Sequence, residues 1–203
     1  MNALSDAVLT LESPAAGQTG PVRVWDLIVR SFHWTVVTGC VIDLAYQHGN
    51  WFHRGVGYVV AAAVSIRLVW GLIGRGHARF SAFIPGPAGL LGYLRLLSIR
   101  QEPRYIGHNP AGAVMILGLL GLLIMVSVTG WMMGLDRFFG NEVLEELHET
   151  SAIAILSLAI IHVLGAVVES IRHHENLIKS MVTGRKRAPA GSDINNAPDI
   201  DRR

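Results

Sequence analysis

Charged residues are scarce in this sequence, and cysteine is almost absent. Asp, Glu, Lys and Arg make up 16% of the 203 residues, against about 25% in ordinary soluble domains. Because 51% of the residues are hydrophobic, this shortage of charge indicates a membrane protein. Cys40 is the single cysteine, which excludes an intramolecular disulfide, a thiolate metal cluster and a CxxCH attachment motif. The net charge of +2, with no basic stripe among aromatic residues, predicts no nucleic acid partner.

The two ends of the chain are polar. Residues 1–20 lack a positive segment followed by a sustained apolar run, so we expect no cleaved signal peptide but a flexible N-terminal tail. Residues 188–203 are rich in Pro, Gly, Asn and Asp, which predicts a disordered C-terminal tail. One domain, 21–187, lies between them.

Long apolar segments fill most of that domain. Four of them approach the ~20 residues that a bilayer requires; they lie at about 28–47, 53–74, 111–134 and 147–169. The sequence therefore predicts an all-α membrane protein, a four-helix transmembrane bundle. Asn109 and Pro110 suit the start of the third helix, as N-cap and first-turn proline. Residues 88–98 predict a short amphipathic helix at the membrane surface.

The positive charges of the connecting segments predict the orientation. Lys and Arg flank the bundle at one side: Arg23, Arg30, Arg75, Arg79, Arg95, Arg100, Arg104, Arg172, Lys179, Arg185, Lys186 and Arg187. The link after the third span is instead acidic, with Asp136, Glu142, Glu145 and Glu146. By the positive-inside rule, both termini and the long middle loop are cytoplasmic.

Four histidines lie inside the predicted spans, at two depths. His148 and His162 are 14 residues apart in the fourth span, which corresponds to a rise of about 21 Å and nearly four full helical turns. Both rings therefore leave the helix on nearly the same face. His53 matches the outer depth of His148, and His33 matches the inner depth of His162. The predicted pairs are His53 with His148 and His33 with His162.

Paired imidazoles on facing helices suit bis-histidine haem b, which is flat and apolar. Copper or zinc would draw on carboxylates or thiolates in a more compact site. His108, at the start of the third span, is an alternative inner ligand or part of a quinone or proton site. Nearby glycines suit either a planar cofactor or close helix packing; they are Gly39, Gly55, Gly57 and Gly165. We expect the remaining histidines to be solvated: His48, His77, His173 and His174.

Several motifs together resemble the bacterial cytochrome b561 family, which includes the b-type cytochrome subunits of nickel–iron hydrogenases. They are "VWDLIVRSFHW", "FHRGVGY", "RLVWG", "GHNPAG", "TGWM", "LHE", "IIHV" and "HENLIKSMVTGRKR". The resemblance covers roughly 21–187. It implies two haems b in a multi-pass protein of the bacterial cytoplasmic (inner) membrane, surrounded by lipid. It also implies the ligands His33, His53, His148 and His162, and electron transfer between a quinone pool and a redox partner.

Haem propionates need cationic partners. We expect Arg67 to serve the inner haem with Arg30, and Arg54 to serve the outer haem; contact with lipid phosphate is the alternative, foremost for Arg30. Asp43 is a candidate proton relay for quinol, or a side chain that reaches the outer surface. The acidic link is either a docking site for a periplasmic electron carrier or an ordinary solvated loop.

The function predicted from the sequence is that of a dihaem b-type cytochrome, an electron-transfer oxidoreductase or electron-carrier subunit. Its partner would be a periplasmic cytochrome, a dehydrogenase or a hydrogenase. A membrane anchor for such a complex, without quinone chemistry, is an alternative. A haem-free transporter that uses the histidines as a pathway is another. The sequence names neither donor nor acceptor, and a homodimer is one open oligomeric state.

Overall fold

Helices make up most of the structure, a computed structural model that describes residues 20–46 and 50–197. The helices are α1 (Leu27–Ala45), α2 (Trp51–Ile73), α3 (Phe80–Phe83), α4 (Pro87–Ser98), α5 (Pro110–Met133), α6 (Glu142–Arg172) and α7 (Leu177–Thr183). Two short strands, β1 (Val22–Arg23) and β2 (Arg185–Lys186), pair antiparallel. The predicted N-terminal tail lies outside the described residues apart from Gly20.

Helices α1, α2, α5 and α6 are long and apolar enough to cross a membrane. Their mean hydropathy ranges from 1.3 to 2.6, and many large apolar side chains on them are exposed. Such a surface is stable against lipid and unstable in water. The prediction of an all-α protein with four candidate membrane helices is therefore confirmed. The cytoplasmic location of the termini stays a prediction.

Asparagine side chains start several helices by accepting a backbone N–H of the first turn. Asn109 accepts from Gly112 N at 2.7 Å, directly before Pro110, as the sequence predicts. Asn141 accepts from Leu144 N at 3.1 Å and starts α6. The start of α2 is capped in the same way by Asn50.

The long helices pack in the order α1–α2–α5–α6, and α4 packs on α5. Val60 and Val64 of α2 meet Leu120 and Leu123 of α5 in a buried apolar cluster. We call the end of the bundle where α5 ends and α6 begins the link end. The opposite end, which carries β1 and β2, is the sheet end.

Buried side chains close the sheet end. Trp25 is 5% exposed, packs in a cluster with Val29 and Ile106, and donates from Nε1 to Ser180 Oγ at 3.3 Å. Gly184, in the left-handed region at φ +78°, ends α7 and lets the chain turn into β2.

The described part of the predicted C-terminal tail does not lie free. Within 188–197, Ile194 forms a parallel bridge with Tyr105, and Asp193 pairs with Arg104. Asn196 donates to the main-chain oxygen of His108 at 2.8 Å. A polar composition is compatible with contacts such as these and also with a solvated tail. Composition alone does not distinguish the two, so the sequence predicted a disordered tail.

Candidate functional site

Helix α6 carries two of the four predicted ligands. His148 lies in its second turn and His162 about four turns further on, and both side chains are partly buried. The helix is continuous over Glu142–Arg172. The rise of about 21 Å between the two histidines therefore holds, and each lies near a different end of the bundle.

At the link end the structure brings His53 and His148 together. Their ring centroids are 6.1 Å apart and their planes are inclined by 71°. His53 lies in the first turn of α2, where its backbone N–H is held by Asn50. The pair connects α2 with α6, two helices on either side of α5.

Thr129 of α5 orients the His148 ring. Its Oγ1 lies 3.0 Å from His148 Nδ1 and donates to the carbonyl oxygen of Met125 at 2.8 Å. Because a hydroxyl has one proton, Oγ1 then accepts from Nδ1–H, which leaves the Nε2 lone pair free for a metal. A Cβ on neighbouring Gly130 would come within 3.0 Å of His148 Cε1, so glycine permits the ring to lie close to α5.

Asp43 of α1 faces the other ring of this pair. Its Oδ1 lies 3.3 Å from His53 Nδ1, without the angle of a good hydrogen bond. A carboxylate beside the Nδ1 of a metal-binding histidine favours coordination through Nε2. The sequence interpretation of Asp43 did not include this position beside a predicted ligand; its role as a proton relay stays a prediction.

At the sheet end, His33 lies in the second turn of α1, and His162 lies in the C-terminal half of α6. Both are partly buried. The His33 ring also meets Trp34 edge to face, with centroids 5.2 Å apart. Helices α1 and α6 are not among the packed helix pairs of the described chain, so the pairing of these two histidines stays a prediction.

Arg67 is a buried cation at the sheet end that is suited to an anionic group. It is 4% exposed, and its guanidinium lies over the Phe80 ring, 4.7 Å from the centroid. Its Nη1 is buried without a hydrogen-bond partner. A buried guanidinium nitrogen without a partner is costly, and a carboxylate such as a haem propionate would satisfy it.

The glycines near the histidines fall into two groups. A Cβ on Gly39 would collide with Val60, so this glycine serves close packing of α1 on α2. Cβ atoms on Gly55, Gly57 and Gly165 would meet nothing within 4 Å. With two imidazole pairs and the unpartnered Arg67 Nη1, this donor set and these small residues fit a flat, anionic macrocycle such as haem b.

The other two predicted arginines have different surroundings. Arg30 donates to the carbonyl oxygen of Val182, and its Nε is buried without a partner. Arg54 is exposed and lies over the C-terminal end of α5, where a Cβ on Gly134 would be 3.2 Å from its Cζ. A cation there is stabilised by the helix dipole, so Arg54 already has a structural role.

His108 lies in an aromatic pocket at the sheet end. Its ring centroid is 4.5 Å from that of Trp25 and 4.7 Å from that of Phe83. Burial, together with the positive charges of Lys186 and Arg67, lowers the His108 pKa to about 3. The neutral ring has a buried Nδ1 without a partner. It interacts electrostatically with His162, so it remains an alternative to His33.

Two of the histidines expected to be solvated have protein partners instead. His77 lies 3.1 Å from Asn195 Oδ1 and meets Trp25 edge to face. His173 Nε2 is 3.3 Å from a carboxylate oxygen of Glu169, one turn earlier on α6. Sequence patterns miss such contacts because they join distant segments or depend on side-chain rotamers. His174 is exposed, as expected, and His48 lies outside the described residues.

Thr129 is the site residue that the sequence interpretation missed. It belongs to the "TGWM" motif, at the depth of His53 and His148, so its position was a usable signal. A threonine in an apolar helix ordinarily bonds its own helix, as Thr129 does with Met125. That ordinary contact hides the second one, with His148.

Comparisons with known proteins show the family to which the chain belongs. A family profile described as prokaryotic cytochrome b561 matches residues 24–184. Relatives named as probable Ni/Fe-hydrogenase B-type cytochrome subunits include one from Rhodobacter capsulatus, 27% identical over 81% of this chain and 81% of its own length. Another, from Bradyrhizobium diazoefficiens, is 25% identical over 90% and 96%. No solved structure matches. The chain belongs to the prokaryotic cytochrome b561 family of membrane haem proteins, and this membership implies haem b and electron transfer.

Proposed function

We propose that this protein is a dihaem b-type cytochrome that carries electrons across the cytoplasmic membrane, between a quinone pool and a redox partner protein. The observation that supports it best is the pair of histidine sites at opposite ends of one bundle, both served by α6. Two redox centres stacked along the membrane normal provide a path from one face to the other. A single pair would serve only one face.

We assign one haem to His53 and His148 at the link end and the other to His33 and His162 at the sheet end. Bis-histidine haem b supplies a one-electron centre with no open coordination position. The chain holds each imidazole in place, with Thr129 and Asp43 at the link end. Arg67 neutralises an anionic carboxylate at the sheet end, and the apolar helices exclude water.

The partner is inferred from the relatives and from the link end. The relatives' names describe subunits of Ni/Fe-hydrogenases, so a hydrogenase or dehydrogenase is the partner class that they support. The acidic residues of the link end are exposed and would suit a basic surface, such as that of a periplasmic cytochrome. The acidic residues of the link end are Asp136, Glu142, Glu145 and Glu146.

Haem content of single histidine variants tests the assignment. The purified protein should hold two haems per chain with a low-spin b-type reduced-minus-oxidised spectrum. His53→Ala and His148→Ala should each lose the same haem, and His33→Ala and His162→Ala the other. His174→Ala is the control and should retain both. A protein without a b-type signal would refute the proposal and favour a transporter. If His108→Ala loses a haem that His33→Ala retains, the sheet-end pair is wrong.

A second experiment separates electron transfer from a purely anchoring role, which the relatives' description as subunits also supports. A short-chain quinol added to the purified protein without any partner should reduce both haems within seconds. A structural anchor would stay oxidised under the same conditions, although dithionite reduces it. That result would overturn the quinone part of the proposal and leave the haem assignment intact.

A further inference from the structure

An open cleft lies at the sheet end, beside the membrane helices. It has a volume of about 790 Å³ and is formed by β1, α7, β2 and the turn before α7. Its lining is strongly basic, with Arg23, Lys179, Arg185, Lys186 and Arg187, and one carboxylate, Glu175. We call these six residues the basic cleft.

The carboxylate of Glu175 already has hydrogen-bond and ion-pair partners, so it does not neutralise the other cations of the cleft. It accepts two hydrogen bonds from Arg104, at 2.8 and 3.2 Å, and one from Arg187 N at 2.6 Å. It also lies 3.7 Å from Lys186 Nζ. Lys186 is turned inward, is 6% exposed, and donates to the carbonyl oxygen of Tyr105 at 3.3 Å.

Four cations of the basic cleft have no such engagement. They are Arg23, Lys179, Arg185 and Arg187, and all four are exposed. Within the described part of the chain, their side chains take part in no hydrogen bond, ion pair or ring contact. Four like charges around one concave surface repel each other and attract a multivalent anion. The positive-inside rule explains cations on this side of a membrane protein, but it does not require them to converge on a cleft.

An apolar ridge runs beside the cleft. Ile178 and Val182, one turn apart on α7, are 53% and 51% exposed. Ile171 at the end of α6 is 68% exposed, and Leu27 at the start of α1 is 65% exposed. Within α7 each exposed apolar residue precedes a cleft residue, Lys179 or Thr183. The helix thus has one face suited to acyl chains and another suited to phosphate.

We propose that the basic cleft binds the phosphate headgroup of an anionic phospholipid, whose acyl chains lie along the ridge of Ile178 and Val182. A basic pocket at the edge of transmembrane helices has the chemistry that recognises such lipids. Arginine supplies the planar, bidentate donors that phosphate oxygens prefer. The adjoining ridge favours a lipid over a free phosphate or an acidic protein surface.

Lipid binding to the full-length protein in neutral detergent tests this proposal. Diphosphatidylglycerol should bind at one molecule per chain, as counted by native mass spectrometry, and more tightly than phosphatidylcholine. The double variant Lys179→Gln/Arg185→Gln should bind it about thirtyfold more weakly, because each cation near the surface contributes roughly five- to sixfold. Arg75→Gln/Arg79→Gln, which removes two exposed cations outside the cleft, should bind as the wild type does.

Two further arms distinguish the ligand sources. Ile178→Gln/Val182→Gln should weaken lipid binding and leave the weak binding of inorganic phosphate unchanged. Equal losses in the cleft variant and the Arg75/Arg79 control would show a general charge effect and overturn the proposal. If millimolar inorganic phosphate displaces the lipid as strongly as its charge alone predicts, the cleft is a site for free anions instead. If the cleft variant binds lipid as the wild type does but no longer binds an acidic protein, the cleft is a protein-docking surface.

Discussion

At the scale of single residues, the two link-end histidines are oriented by different chemistry. His148 donates from Nδ1 to a neutral hydroxyl, whereas the Nδ1 of His53 faces a carboxylate. Both arrangements leave Nε2 available, but they differ in charge. A carboxylate increases the basicity of the imidazole and so favours the oxidised iron, while a hydroxyl mainly fixes the ring. The two contacts therefore predict different consequences when each is removed.

Replacement of Thr129 by valine should weaken haem binding at the link end. Valine has nearly the same shape, but it has no acceptor for His148 Nδ1–H, so the ring loses its preferred orientation. Loss of such an orienting partner typically costs about 10- to 100-fold in metal affinity. Haem titration of the apoprotein measures this loss, and circular dichroism should show unchanged helicity. Thr38→Val, at an exposed position of α1, is the control. Wild-type haem affinity in the Thr129 variant would contradict the proposed orientation.

Replacement of Asp43 by asparagine should raise the reduction potential of the link-end haem. The negative charge beside His53 stabilises the ferric state, and asparagine retains the shape without the charge. We expect a rise of about 60 mV, which is tenfold in a one-electron equilibrium. A spectroscopic redox titration would show this rise in one of two haem transitions. Asp136→Asn removes an exposed carboxylate of the same end and should leave both transitions in place, as would Asp43→Asn if the contact were irrelevant.

At the scale of elements, the long helices were predictable and their ends less so. The first three predicted spans differ from α1, α2 and α5 by one or two residues at each end. The fourth span was predicted as 147–169, but α6 extends over Glu142–Arg172. Hydropathy detects the part of a helix that lipid surrounds. The cap at Asn141 and the charged first turn of α6 extend this helix at its N-terminal end, where no apolar pattern indicates it.

The sheet end could not be predicted from local pattern. β1 and β2 are two residues each and more than 160 residues apart in sequence. Arg104 pairs with Glu175 and Asp193, 71 and 89 residues away. The sequence shows these residues as loop charges, and nothing local tells a buried ion pair from a solvated one. Only the packed helices bring the partners together.

Replacement of Arg104 by methionine should destabilise the sheet end strongly. The side chains of Arg104, Glu175 and Asp193 are 4–6% exposed, so the change leaves two buried carboxylates without their main partner. Removing one member of a buried ion pair costs about 3–5 kcal/mol, equivalent to a Tm lower by about 10 °C in a protein of this size. Thermal unfolding in detergent measures it. Arg95→Met, at an exposed position, should shift the Tm by little.

The same cluster predicts a pH dependence. Burial alone would raise the Glu175 pKa, but the hydrogen bond from Arg104 and the charge of Lys186 hold it below its ordinary value of 4.5. A carboxyl whose folded pKa is lowered stabilises the fold above the ordinary value, and this stability is lost as the pH falls through the folded pKa. The wild-type Tm should therefore decrease below about pH 4.5. Glu175→Gln should show a smaller decrease in that range; equal slopes would contradict the assignment.

At the scale of the whole molecule, helical rise and periodicity predicted the depth and the face of the histidines on α6. The structure brings the rings of His53 and His148 to 6.1 Å between centroids, whereas the pairing of His33 with His162 stays a prediction. The side chains that contact these rings could not be predicted from periodicity. The contacts of Thr129, Asp43 and Phe80 depend on rotamers and on how far apart the helices lie, which a single sequence does not specify.

The orientation of the molecule can be tested by cysteine labelling. The sheet end carries most of the positive charge and the link end is acidic, so we expect the sheet end in the cytoplasm. In a Cys40→Ser background, Phe139→Cys at the link end should react with a membrane-impermeant maleimide in intact cells. Arg79→Cys, at the sheet end and outside the basic cleft, should react only after permeabilisation. Both positions are exposed, so accessibility within the protein does not bias the comparison. The opposite pattern would reverse the electron path, placing the His33–His162 pair at the periplasmic face.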